Sequence, residues 1–187
     1  MSVATLQGGF VDAPRDAAFA FRKIMNVMAR PGTIETVTGA TPPAPLSQTA
    51  GTVLLTLADA DTPIYLAGEA DTPEVRGWLA FHTGAPFAGP SHATFAVGQW
   101  QDLLPLGRFP IGTPEYPDRS ATLIVEVDVL EASGARLTGP GIKTSADLSL
   151  PDADEMAANS QLFPLGLDFY LTCGDRIAAL PRSTRIG

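Results

Sequence analysis

The feature that most limits what this chain can fold into lies near its C-terminus, where residues 163–184 read FPLGLDFYLTCGDRIAALPRST. In an extended chain Leu167, Phe169, Leu171 and Cys173 point one way and Asp168, Tyr170 and Thr172 the other, the period-two signature of a strand. Gly174-Asp175 follows as a two-residue turn in which glycine accepts a positive φ, so residues 176–180 fold back as a partner strand. A turn of that length sets Cys173 across from Arg176 and Phe169 across from Leu180. Apolar side chains then fall on both faces. A hairpin wet on one side is not built this way, so it belongs in a sheet covered on both faces.

Upstream, helical and extended patterns alternate. A helix over residues 12–30 opens at Asp12 and stops at Pro31-Gly32, with Ala17, Phe21, Ile24, Met25 and Met28 expected on its core face. Residues 34–37 form a short strand. Ser47 caps a helix over residues 48–58, Asp59-Ala60-Asp61 turns the chain, and residues 63–66 are extended. Thr72-Pro73-Glu74 combines a cap, a proline at the first helical position and an acid in the first turn. That helix carries Val75, Trp78, Leu79 and Phe81 and ends near His82. Strands follow at 93–97, 121–129 and 136–138, with a helical turn at 100–104 and a Gly/Pro-rich loop at 107–119. Asp152 and Glu155 have capping-box spacing for a helix to about residue 162. Residues 1–11 read as a frayed arm.

Strands alternating with helices early and pairing as a hairpin late predict an α/β fold, a three-layer sandwich around a mixed central sheet. At 187 residues the chain suits one domain over its whole length, which buries roughly 70% of its unfolded surface.

Charge and composition remove whole classes of function. The net charge is −8 with no Lys/Arg run, so the basic stripe of a duplex-binding protein is missing. No apolar run reaches the ~18 residues of a membrane span. The first ten residues lack the basic and apolar regions of a secretory signal. Cys173 is the sole cysteine, so no internal disulfide forms. A soluble cytoplasmic protein is the expectation.

The two histidines, His82 and His92, stand in loop-like context with no convergent ligands, so no metal is expected and His82 reads as a helix-end cap. Cys173 reads as a packed thiol. Ser91-His92 is a bare adjacency without a nucleophile elbow. Gly139-Pro140-Gly141 is a turn, because Pro140 removes an amide that a phosphate would need. Lysines are confined to Lys23 and Lys143, and Lys23 falls on a helix surface, so a Schiff-base cofactor would rest on Lys143 alone. Arginine suits phosphate recognition through its planar fork. Arg119, Arg136, Arg182 and Arg185 stand at strand ends or loops. Arg119, just before a strand, and Arg182, just after Pro181, are the candidates for an anion site or an acidic partner surface. No catalytic residue can be assigned.

Several stretches taken in order resemble one family. They are FRKIMNVMARPG (21–32), LLTLADADTPIYL (54–66), FHTGAP (81–86), ATFAV (93–97), SATLIVEV (120–127), LTGPGI (137–142) and the C-terminal hairpin. Together they are similar to the PhnH family of the bacterial carbon–phosphorus lyase system. The resemblance implies a cytoplasmic subunit that assembles with PhnG, PhnI and PhnJ; a homodimer when isolated is expected because two-fold dimers are the commonest closed assembly. It implies support for the step in which a phosphonate displaces adenine from ATP to give a ribose 1-phosphonate 5-triphosphate. Radical cleavage of the carbon–phosphorus bond belongs to PhnJ and its iron–sulfur cluster, which Cys173 alone could not ligate. The implied fold is similar to that of pyridoxal-phosphate-dependent transferases, without the cofactor. The competing reading is a self-sufficient pyridoxal-phosphate-type transferase, which would need an activated Lys143.

Overall fold

The computed structural model describes residues 7–187. A six-stranded mixed sheet runs through the middle of the domain. Its strands are β1 (Glu35–Thr36), β2 (Ile64–Leu66), β3 (Phe95–Gln99), β4 (Thr122–Glu126), β7 (Asp168–Cys173) and β8 (Arg176–Leu180), in the order β1-β8-β7-β4-β3-β2. β2, β3, β4 and β7 are parallel to one another, and β8 and β1 add an antiparallel edge. The hairpin has the expected register, Cys173 opposite Arg176 and Phe169 opposite Leu180. Gly174 takes φ 62° at its turn, where a Cβ would be strained.

Both faces of the sheet are buried, and the period-two alternation sorts its side chains. Ile64, Val97, Ile124, Tyr170, Ile177 and Ala179 point to one face. Ala96, Leu123, Val125, Phe169, Leu171 and Ala178 point to the other. The first face is covered by α1 (Ala13–Ala29), α2 (Gln48–Leu57) and α3 (Pro73–Thr83). The local signals for α2 and α3 hold, whereas the Asp12 side chain does not cap α1; its amide donates instead to the Asp16 carboxylate at 2.9 Å. Ser47 Oγ accepts from the Ala50 amide and Thr72 Oγ1 from the Val75 amide, each at 3.1 Å. Gly84, left-handed at φ 69°, closes α3.

The second face is not a plain helical layer. It carries the short α4 (Trp100–Leu103), α5 (Ala153–Ser160), and a three-stranded antiparallel sheet of β5 (Ala135–Thr138), β6 (Ala146–Leu148) and β9 (Arg185–Ile186), ordered β6-β5-β9. Leu137 and Leu148 seat this sheet on Phe169 and Leu171 in one core. Asp152 caps α5 through the Glu155 amide at 3.0 Å. The helix ends at Ser160 rather than near residue 162.

Three expectations need correction. The core face of α1 is Ala20, Ile24 and Val27, whereas Phe21 and Met25 are exposed. Small side chains at 20 and 27 let α1 approach its neighbours closely, which two larger residues would prevent. β4 ends at Glu126 rather than Val129, which stands out in solvent. Of the expected frayed arm, residues 1–6 lie outside the described residues. Residues 7–10 are tied down: Gln7 O accepts from Trp78 Nε1 at 2.9 Å, Gly8 O from the Thr41 amide at 2.7 Å, and Phe10 packs on the core. Among the described residues no helix is long and apolar enough to cross a membrane.

Candidate functional site

The parallel strands give the sheet two chemically different ends. At their carboxyl ends, where open α/β sheets usually bind ligands, stands Glu126, the last residue of β4. Its Oε1 accepts from the Ser47 amide at 2.7 Å and its Oε2 from the Thr172 hydroxyl at 2.8 Å. One carboxylate thus joins β4 to the start of α2 and to the neighbouring strand β7. Burial pushes its pKa up, and the bonds from Ser47 and Thr172 oppose that shift. The positive end of the α2 dipole also favours the ionised form.

Glu126 lies between two hollows. A small one of about 40 Å³ is bounded by Leu46, Glu69, Ala70 and Asp102. A larger open cleft of about 330 Å³ has Gln99, Trp100, Asp128, Ser149 and Leu150 in its wall. The carboxylates at this end favour neutral or cationic groups over anions. Sequence reasoning passed over Glu126, although a single acid inside the run LIVEV was its available signal.

The amino ends of the same strands carry the arginines. Arg182 and Arg119 fall at one end of the sheet because β8, β7 and β4 are consecutive neighbours. The guanidinium of Arg182 is largely engaged within the chain. Nε donates to Asp168 Oδ1 at 3.1 Å, Nη2 to Asp168 Oδ2 at 2.5 Å and to Ser120 Oγ, and Nη1 to Pro117 O at 2.6 Å. The Arg182 amide also donates to Asp168 Oδ1 at 2.8 Å. Side-chain exposures of 13% and 22% make this a mostly buried pair. Arg182 therefore clamps the 117–120 segment against the hairpin.

Arg119 is exposed and lies over the Tyr116 ring, 4.0 Å from its centroid. It lines an open hollow of about 360 Å³ with His92, Thr94 and Asp118. Arg136 and Arg185 sit exposed on the small sheet.

His82 does not cap α3; its ring packs between Trp78 and Phe81 at centroid distances of 5.2 and 4.9 Å. Cys173 packs against the second core and donates to Asp128 O at 3.5 Å. Asp59 accepts from the Asp61 amide at 3.0 Å, the turn expected of that pair. Gly141 brings the chain against the C-terminal end of α1, where a Cβ would stand 2.0 Å from Ala29 O. Lys143 is exposed, and Lys23 donates to Thr36 O at 2.7 Å. Among the described residues no three His, Cys, Asp or Glu side chains converge as metal ligands.

Fold and site together define an α/β domain whose mixed sheet carries a half-buried carboxylate, Glu126, at one end and Arg119 and Arg182 at the other. The chain belongs to the family described as bacterial phosphonate metabolism protein (PhnH), which it matches over residues 8–187. It is 42% identical over 191 residues to a Rhizobium meliloti (strain 1021) protein named alpha-D-ribose 1-methylphosphonate 5-triphosphate synthase subunit PhnH, covering 96% of this chain and 94% of that one. It is 28% identical over 202 residues to a Stutzerimonas stutzeri protein provisionally named C-P lyase subunit protein HtxG, covering 95% and 94%.

Proposed function

We propose that this chain is the PhnH-type subunit of an alpha-D-ribose 1-methylphosphonate 5-triphosphate synthase and, through it, of the C–P lyase system. The observation that carries the reading is the 42% identity to the named synthase subunit, spread over nearly the full length of both chains. In this role it supports transfer of a phosphonate to the ribose of ATP with release of adenine. It works in the cytoplasm with PhnG, PhnI and PhnJ, and as a homodimer when isolated. The likeness to the pyridoxal-phosphate-dependent transferase fold belongs to the same proposal, supported by a parallel sheet centre with an antiparallel edge.

Within that role Arg119 is the group that meets an anion or an acidic partner surface. It is exposed and held by an aromatic ring. Arg182 positions the segment that presents it, through Pro117 O and Ser120 Oγ.

The test is genetic and chemical together. A strain lacking this gene should grow on phosphate but not on methylphosphonate as sole phosphorus source, and the Rhizobium meliloti relative should restore growth. Unimpaired growth of the deletion strain on methylphosphonate would sink the proposal.

A further inference from the structure

The first helix has a second apolar stripe that the fold does not use. Ala20, Ile24 and Val27 face the core. On the outer side Ala18, Phe21, Met25 and Ala29 follow one another at spacings of three and four, so they form one line along the helix. Phe21 is 49% exposed and Met25 44%; Phe19, two residues from Phe21 and so on another side of the helix, is 57% exposed. With Val11, this stretch supplies four of the nine large apolar side chains that stand in solvent among the described residues. Exposed apolar groups gathered this way mark an interaction surface more often than scattered ones do.

Its electrostatics say what kind of surface it meets. Residues 12–30 hold Arg15, Arg22, Lys23 and Arg30 against Asp12 and Asp16, a net +2 within a chain whose total is −8. Arg15 lies over the Phe19 ring, with 5.7 Å between Cζ and the centroid. Arg22, Met25 and Glu35 line an open groove of about 480 Å³ between α1 and β1. The Glu35 carboxylate there accepts from Asn26 Nδ2 and Lys23 is held on Thr36 O, so two cations, Arg22 and Lys23, stand against one carboxylate and the groove is net positive. A second copy docked through the same face by a two-fold axis would bring the cationic rims together, which opposes that arrangement.

We infer that the outer face of α1 docks a different protein, one that presents an apolar ridge flanked by Asp and Glu side chains. This rests on the subunit reading above, and the other subunits of the same assembly are the candidates of the right kind.

The experiment co-expresses the tagged full-length chain with PhnG, PhnI and PhnJ and measures co-purification and complex size. Two variants are compared with the wild type, Phe21→Asp with Met25→Asp and, separately, Arg15→Glu with Arg22→Glu. All four positions are exposed, so the melting temperature of the isolated chain should hold. Each variant should bind its partner at least about tenfold more weakly, the scale of a lost interface anchor. The charge-reversed variant should also lose the salt dependence of binding.

Wild-type binding by both folded variants would overturn the docking inference alone. Intact binding of other subunits, with a wild-type homodimer turned monomer, would make the face a self-association surface and overturn it too. A folded wild type that binds none of the subunits would instead bring down the subunit reading, and the inference with it.

Discussion

The carboxylate of Glu126 accepts the amide N–H of Ser47, 79 residues earlier in the chain, at 2.7 Å. With the Thr172 hydroxyl on its other oxygen, it fixes the start of α2 to the carboxyl ends of β4 and β7. Removing it in Glu126→Ala leaves the Ser47 amide without its acceptor, while the Thr172 hydroxyl keeps Val125 O at 3.3 Å. Denaturant unfolding should show a loss of about 1–3 kcal/mol, the cost of an unsatisfied buried group.

The same carboxyl sets a pH dependence. Its pKa is raised in the folded protein, mainly by burial. A carboxyl raised on folding binds its proton more tightly in the native state than in the unfolded chain. Its stabilising contribution is therefore complete below the unfolded value and is lost as pH rises through the folded one. Glu126→Gln keeps an acceptor for Ser47 and cannot titrate. The stability difference between wild type and Glu126→Gln, followed from about pH 4 to about pH 8, should shift in favour of Gln as pH rises. A pH-independent difference would assign the wild-type pH profile to other groups.

Arg182→Ala should cost about 3 kcal/mol, because it leaves Asp168 mostly buried without its cation. Arg182→Lys keeps the charge but cannot span Asp168, Pro117 and Ser120 at once, so it should recover only part of the loss. Thermal melts of the three proteins rank these outcomes.

Arg119→Ala should behave in the opposite way. An exposed cation–π contact is worth about 0.5–1 kcal/mol, so the melting temperature should barely move. If Arg119 holds an anion or an acidic partner, turnover in the assembled complex should fall roughly tenfold to a hundredfold, the scale of a lost charged hydrogen bond. Unchanged turnover and unchanged assembly would make it solvated surface charge.

Gly9→Ala tests the N-terminal strap. A Cβ there would stand 2.5 Å from the His82 ring, which is itself wedged between Trp78 and Phe81. The strap should lift, free Trp78 Nε1 from Gln7 O, and expose the N-terminal segment to protease. A proteolysis rate equal to wild type would mean that the ring yields instead.

What the sequence made legible was local. The caps at Ser47, Thr72 and Asp152 and the hairpin register each depend on a few consecutive residues, and the structure has them. Of the small sheet, β5 is legible as a short strand, but β6 and β9, three and two residues long, carry too little pattern to announce themselves. On α1 the 3.6-residue period fits two apolar stripes, and packing chose the one with smaller side chains. Glu126 and Arg182 acquire their roles from partners far away in sequence. Yet the hairpin register sets Phe169 opposite Leu180, which already places Asp168 beside the segment carrying Arg182.

The central claim is that this chain is a working part of the synthase. The most direct measurement is reconstitution: a synthase assembled with and without the purified chain, supplied with ATP and methylphosphonate, and assayed for alpha-D-ribose 1-methylphosphonate 5-triphosphate and adenine. The account predicts product only when the chain is present, and none from the chain alone. Full product formation by the assembly lacking the chain would contradict it.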